Sequence, residues 1–306
     1  MKLAGKNILV TGATGLVGSH LTEFLVQAGA NVVATFRSLD PRSYFSEKKL
    51  GEAVTLAICD LKDAGRVFDV VTRYEIDAVF HVAAKPIVDT AYYNPRETFE
   101  DNINGTINIL EAARQYPRVT GVVVASSDKA YGKDCVNVSE DAPMAGDHPY
   151  EVSKSCADLI ARTYAKTYGL PVAVSRFGNI YGPGDLNVNR LVPGILKAAF
   201  LDETLSVRSD GTFIRDYVYV KDVVQGYLKL MERIEDIKGE AFNFSAGYAY
   251  SVTEMVEKVG EVLGKRISYT IVNNQKNEIP EQTLNAEKAA RVLGWKPAFT
   301  FEDSIR

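Results

Sequence analysis

The chain has 306 residues, 46% of them hydrophobic and 24% charged, with a formal net charge of −4. The slight acidity speaks against a nucleic-acid partner, which needs a basic face, and no apolar run reaches the roughly 20 residues of a membrane span. Cys59, Cys135 and Cys156 are odd in number and lack metal-type spacing, and His20, His81 and His148 are scattered, so the expectation is a soluble cytoplasmic α/β protein without a metal.

Met1–Lys6 leads straight into the first strand, with no secretory leader expected. The apolar run Ile8–Thr11 ends in glycines at 12, 15 and 18, and an amphipathic stretch from Ser19 to Gln27 follows. Such a run reads as a buried strand, a tight turn and a helix start. Gly12 and Gly15 let the backbone turn and approach a ligand, Gly18 lets helix and strand pack closely, and the free amides of the helix start suit a pyrophosphate. A second strand at Asn31–Phe36 completes the βαβ setting in which this pattern signals dinucleotide binding. An NAD site usually carries an acid at the end of that strand, but Phe36, Arg37 and Ser38 stand there, with no acid before Asp40. Arg37 suits a 2′-phosphate, so NADP is expected ahead of NAD.

Val54–Ile58 reads as a third strand, closing on Cys59, Asp60 and Leu61, and Ala64–Arg73 reads as a helix. Ala78–Val82 is a buried strand in which His81 is expected to be a core histidine. Asn102–Gln115 is a long helix, with Ile103, Ile107, Leu110 and Ala113 at its apolar positions. A strand at Val122–Ala125, a helix at Tyr150–Tyr168 and a strand at Val172–Ser175 continue the alternation. The pattern predicts a Rossmann-type, doubly wound parallel sheet with right-handed crossovers, its ligands beyond the carboxyl ends of the strands. From Asn179 to Arg190 the chain is loop-like, and short strands and helices mix thereafter. The expected division is a dinucleotide-binding domain of 1–178 plus about 216–247, capped by a smaller lobe of 179–215 and 248–306. Phe301–Arg306 reads as the first turn of a terminal helix, short or cut off.

The chemistry-bearing residues follow the Val122–Ala125 strand. Ser126–Gly132 (SSDKAYG) closes it, and Tyr150–Lys154 (YEVSK) opens the next helix. Tyr150 and Lys154 are four apart and share a helical face. An ammonium beside a phenol favours the phenolate, so the Tyr150 hydroxyl is expected to fall from its usual pKa of about 10. A phenolate held by the Ser127 hydroxyl suits removal of a sugar hydroxyl proton as a hydride leaves.

Motifs along the whole length carry a resemblance: TGATGLVGSHL at Thr11–Leu21, FHVAAKP at Phe80–Pro86, NINGTINILEAAR at Asn102–Arg114, SSDKAYG, YEVSK, RFGNIYGPGD at Arg176–Asp185, RDYVYVKDVV at Arg215–Val224 and LNAEKAARVLGWKP at Leu284–Pro297. With these the chain resembles the extended short-chain dehydrogenase/reductases that act as NAD(P)-dependent nucleotide-sugar epimerases and dehydratases. The resemblance implies a catalytic Ser127, Tyr150 and Lys154, with Lys154 also gripping the nicotinamide ribose. It implies cofactor contacts from Gly12, Thr14, Gly15, Leu16, Val17, Gly18, Asp60, Leu61, Ala83 and Ala84. The substrate would be a nucleotide-diphosphate sugar, met by Lys85, Ser127, Asn179, Arg190 and Arg215. It also implies a homodimer packed through the Asn102–Gln115 and Tyr150–Tyr168 helices.

Within the family, an acid–base pair after the serine marks the 4,6-dehydratases, whereas 4-epimerases carry small or apolar residues there. Here Asp128 and Lys129 follow, which resembles the CDP-glucose 4,6-dehydratase branch, as does the stretch Ala83–Asn102 (AAKPIVDTAYYNPRETFEDN). By that resemblance Asp128 protonates the departing C6 hydroxyl, and Lys129 is either the base at C5 or a cation that steadies the enolate. Two features depart from the branch: the RDYVYV run, more typical of epimerases and of other dehydratases, and a loop Asp185–Asn189 without an aromatic residue. A UDP-sugar 4-epimerase is therefore the alternative reading, and an NAD(P)-binding protein without turnover a remote one.

Overall fold

The computed structural model describes residues 3–133, 135–274 and 279–306. Met1 and Lys2 of the lead-in segment lie outside them.

β1 (Asn7–Thr11) enters the glycine turn and α1 (Leu16–Gln27), and β2 (Asn31–Phe36) follows at the expected place. A short α2 (Tyr44–Glu47) precedes β3 (Thr55–Ile58), α3 (Ala64–Arg73) and β4 (Ala78–His81). Two short helices that the sequence pattern does not signal, α4 (Val88–Tyr93) and α5 (Pro95–Phe99), lead to α6 (Gly105–Gln115). Between α5 and α6 the residues Glu100–Asn104 form a π-helical turn, where a plain helix from Asn102 was expected. Next come β5 (Val122–Ala125), β6 (Cys135–Val138), α7 (Pro149–Tyr168), β7 (Val172–Phe177) and β8 (Asn179–Tyr181). The remainder comprises α8 (Leu191–Leu201), β9 (Leu205–Val207), β10 (Ile214–Tyr219), α9 (Val220–Glu232), β11 (Ala241–Phe244), β12 (Ala249–Tyr250), α10 (Val252–Leu263), β13 (Tyr269–Ile271), β14 (Glu281–Leu284) and α11 (Phe301–Ile305).

Seven strands form a parallel sheet in the order β11-β7-β5-β4-β1-β2-β3. The order reverses between β1 and β4, and a doubly wound sheet opens its ligand crevice at that point. Along β1 the side chains alternate between two cores. Ile8 and Val10 pack with Leu21 and Leu25 of α1 and Val223 and Leu230 of α9. Leu9 packs with Val67 and Val71 of α3 and Ile109 and Leu110 of α6. Both faces are covered, which is why these strands read as unbroken apolar runs.

A second sheet has the order β12-β10-β14-β6, with β8 alongside β10, and β9 pairs with β13. The stretch expected to be loop from Asn179 thus opens with a strand, Asn179–Tyr181 in register with Tyr217–Tyr219. Three residues are too few for a period-two pattern to show. The two sheets interleave in sequence. β10 runs past the expected boundary at 215, β6 joins the second sheet from the first half, and Leu293 and Trp295 pack on the core of the first. Among the described residues no helix is long and apolar enough to cross a membrane.

Candidate active site

A cleft of about 2580 Å³ lies over the carboxyl ends of the parallel strands, walled on its far side by residues of the second sheet. A single small ligand occupies roughly 300–1,000 Å³, so there is room for two nucleotide-sized molecules. Gly12, Thr14, Gly15, Leu16, Val17 and Gly18 form one end. Gly12 has φ +67°, and a Cβ there would come within 2.8 Å of Ala83 Cα. At Gly18 a Cβ would lie 2.1 Å from the Gly12 carbonyl oxygen. Gly15 caps α1 without a side-chain bond, and the first turn holds no acid. The amides at this helix start therefore meet no competing carboxylate, an arrangement that fits a pyrophosphate.

Behind the glycine turn runs a directional chain of hydrogen bonds. The Ala83 N–H donates to Thr11 Oγ1 (3.2 Å), and Thr11 Oγ1 and His81 Nδ1 are 2.8 Å apart. On the far side of the ring His81 Nε2 meets Thr106 Oγ1 at 3.0 Å, and that hydroxyl donates to the Asn102 carbonyl at 2.6 Å. With Thr106 spending its proton on Asn102, the ring donates from Nε2, and Nδ1 faces the Thr11 hydroxyl. Burial pushes the His81 pKa down to about 3. The expected core histidine is what the structure contains. Asn102 then reaches the next helix, donating from Nδ2 to Ser153 Oγ (2.9 Å), whose hydroxyl donates to the Tyr150 carbonyl (2.7 Å).

α7 starts at His148, whose ring accepts from the Tyr150 N–H while the His148 backbone N–H donates to the Glu151 carboxylate, and Pro149 occupies the first helical position. This capping box sets Tyr150 and Lys154 one turn apart on the cleft wall. Lys154 is buried, and its ammonium donates to the Ala125 carbonyl at 2.8 Å. Burial lowers its pKa to about 8, against an upward pull from Asp158. The Tyr150 hydroxyl departs from the expected direction. Burial raises it to about 12, outweighing its hydrogen bond with Ser127. The physical reason is that Lys154 turns its ammonium to the backbone of β5, so desolvation dominates at the phenol.

The Ser127 hydroxyl donates to Asp128 Oδ1 at 2.9 Å. Lys129 Nζ donates to Asp128 Oδ2 at 3.3 Å and also to Gln282 Oε1 on β14. Ser127, Asp128, Lys129, Tyr150 and Lys154 thus share one wall. Asn179, Arg190 and Arg215 line the opposite end. Arg190 ion-pairs with Asp185 at 2.6 Å and bonds the Ile180 carbonyl, and Arg215 donates to the Ile214 carbonyl and stacks over Phe213. At the other end stand Asp60, Leu61, Ala83 and Ala84. Lys85 is the exception among the expected residues. Its ammonium pairs with Glu97 at 2.5 Å, behind the wall, and it does not line the cleft.

Two residues go unmarked in the sequence. Asp101, on the π turn, is buried beneath Arg37 (3.0 Å), Lys62 (3.5 Å) and Lys85 (3.9 Å). Gln282 reaches Lys129 from 153 positions away. The alternation of strands and helices carries no information on either contact. Among the described residues no group of His, Cys, Asp or Glu is arranged to hold a metal.

The profile described as "NAD dependent epimerase/dehydratase family" matches residues 8–245. The chain is 30% identical to CDP-glucose 4,6-dehydratase of Salmonella typhimurium, over 98% of this chain and 89% of that one. It is 31% identical to UDP-glucose 4-epimerase of Erwinia amylovora, over 98% and 96%. Among solved structures, dTDP-glucose 4,6-dehydratase of Bacillus anthracis in complex with NAD superposes with a TM-score of 0.85 at 26% identity, covering 98% of this chain and 94% of that one.

Proposed function

Since the chain belongs to the NAD dependent epimerase/dehydratase family, we propose that it is a nucleotide-sugar 4,6-dehydratase. Its relatives include both reaction types at near-equal identity, so the choice rests on this chain's own residues. The observation that carries it is the Ser127–Asp128–Lys129 constellation beside Tyr150: a carboxylate and an ammonium on the wall that holds the sugar hydroxyl's base. An epimerase has no use for either at that place.

A nicotinamide dinucleotide, whose pyrophosphate fits the Gly12–Gly18 cradle, would take the hydride from C4 of the sugar and return it to C6. The protein does the rest. Tyr150, as the phenolate, takes the O4 proton and is left neutral; before that step the Ser127 hydroxyl and the positive charge of Lys154 one helical turn away favour the phenolate. The 4-ketone makes the C5 proton acidic, and Asp128 delivers a proton to the C6 hydroxyl as it departs. Asn179, Arg190 and Arg215 are our candidates for holding the nucleotide diphosphate, within a substrate lobe of 179–215 and 248–306 set against the 1–178 and 216–247 body.

At the adenosine end, the reading that favours NADP over NAD is supported by Arg37, which lines the cleft after a β2 that ends without an acid and is held there by Asp101. A homodimer through α6 and α7 is supported by the exposed Leu159 and Tyr168 on α7. The Leu159→Asp variant should then sediment as a monomer where the wild type sediments as a dimer. The free cysteines, two of them buried, suit a cytoplasmic setting.

The deciding experiment is mass spectrometry of the protein with CDP-, dTDP- and UDP-glucose. Loss of one water from the sugar nucleotide is expected. A C4 epimer of unchanged mass would hand the site to the epimerase reading, and bound cofactor without turnover of any sugar nucleotide to the non-catalytic one.

A further inference from the structure

We infer that Gln282 is a positioning residue for the elimination step, holding Lys129 as an ammonium that faces the developing enolate. The inference rests on the dehydratase reading. Gln282 is fully buried on β14, and both ends of its amide are spent on one dipeptide. Its Oε1 accepts from Lys129 Nζ, and its Nε2 donates to the Asp128 carbonyl at 3.4 Å. The other partner of Lys129 is Asp128 Oδ2, at 3.3 Å.

Both partners of Nζ are acceptors, and an ammonium has three N–H groups and no lone pair. The site offers that ammonium two acceptors and, among the described residues, no donor that would call on the lone pair of an amine. A glutamate at 282 would cancel that charge. A glutamine aims it without cancelling it.

β14 is itself firmly seated. The Leu284 N–H donates to the buried Asp216 at 2.6 Å, and β14 pairs with β10 so that Gln282 stands opposite Arg215. One strand pair therefore registers the ammonium against the residue we assign to the diphosphate. A cationic Lys129 cannot be the base, so both proton movements fall to Asp128, an acceptor towards Ser127 and Lys129 alike. The C5–H bond breaks, the carboxylate takes the proton, and the electron pair becomes an enolate on O4 that the ammonium stabilises. The enolate then collapses to a C5–C6 double bond, the C6–O bond breaks, and the hydroxyl leaves as water with the proton Asp128 took up.

The test follows near-ultraviolet absorbance of reduced nicotinamide and release of water in a single turnover of the full enzyme with the sugar nucleotide that it dehydrates. Gln282→Leu should leave the rise of reduced cofactor and the KM unchanged, while slowing its decay and the water release roughly 10- to 100-fold, as loss of an outer partner that orients a reacting group does. Lys129→Arg, permanently charged, should eliminate water far faster than Lys129→Met, which loses about 10²–10³-fold as an electrostatic stabiliser does. The unchanged oxidation phase doubles as the check that each variant is folded. Lys129→Arg as slow as Lys129→Met would make the lysine a base and overturn the inference. So would a Gln282→Leu variant that slows oxidation and elimination alike, or neither. No water release from the wild type would instead remove the dehydratase reading itself.

Discussion

On the wall formed by the seven-stranded sheet, each polar group stands at a strand end or a helix start and is fixed by neighbours that are buried with it. Thr11, His81, Thr106, Asn102 and Ser153 pass one hydrogen bond to the next up to the backbone of Tyr150. The wall opposite is made of strands of three to six residues and of ion-paired side chains, Arg190 with Asp185 and Arg208 with Asp89. The first wall is held by buried hydrogen bonds at strand ends and helix starts, and the second by half-buried or exposed ion pairs. That difference separates the common chemistry, oxidation at C4, from the chemistry and specificity that distinguish one relative from another.

The sharpest way to break this division is to remove the base on the first wall. Tyr150→Phe should stop the reaction before any reduced nicotinamide forms, a loss of about 10⁴, the upper end for a general base. Stopped-flow absorbance measures it, and a variant that still oxidises C4 at near wild-type rate would take Tyr150 out of that role.

Asp128→Asn asks the opposite of the same wall. Reduced cofactor should still appear, but water loss should slow by roughly 10²–10³. Equal slowing of both phases, read from the same traces and from mass spectra, would mean that Asp128 serves only to hold Ser127.

The sequence exposed these two residues and most of their setting. β1 to β5 and β7 follow from apolar runs between helical patterns, whereas β11, the outermost strand of the same sheet, is four residues long and is not read from the sequence. The short β8, β9 and β12 fall below the length at which a period can be recognised. The Tyr150 hydroxyl was legible as a candidate but not in its titration, since burial is a property of the packed cleft. Lys85 sits in a motif, yet its ammonium is claimed by Glu97 on α5, a helix the pattern does not signal. Asp101 and Gln282 were illegible for the same reason: their partners are chosen by topology.

A smaller effect is expected at the adenosine rim. Arg37→Asp should weaken NADP binding by about tenfold or more, since a hydrogen bond to a charged group is worth roughly 1.5–3 kcal/mol, and should spare NAD. Titration calorimetry with the two cofactors reads the ratio, and equal losses would show that Arg37 does not discriminate between them.

The last expected effect is on stability, not on rate or binding, and concerns the buried chain behind the glycine turn. The folded protein holds His81 neutral down to about pH 3, well below its ordinary 6.5. Between those values the unfolded chain binds a proton that the folded one refuses, so stability falls as the pH drops from about 6.5 towards 3, by at most about 1.4 kcal/mol per pH unit. Urea unfolding of wild type and His81→Gln across that range should show a shallower slope in the variant. Parallel slopes would assign the acid sensitivity elsewhere.

The strand order has a consequence for synthesis. β7 is complete at Phe177, but its outer neighbour β11 spans Ala241–Phe244, with β8, α8, β9, β10 and α9 translated in between. During that interval the edge of β7 has no partner, and an unpaired apolar edge is a template for association with other chains. A ribosome emitting this protein therefore exposes a sticky margin until residue 244 has emerged, and a fragment cut at 178 would keep it permanently. Workers who wish to express the nucleotide-binding part alone should retain the chain through β11.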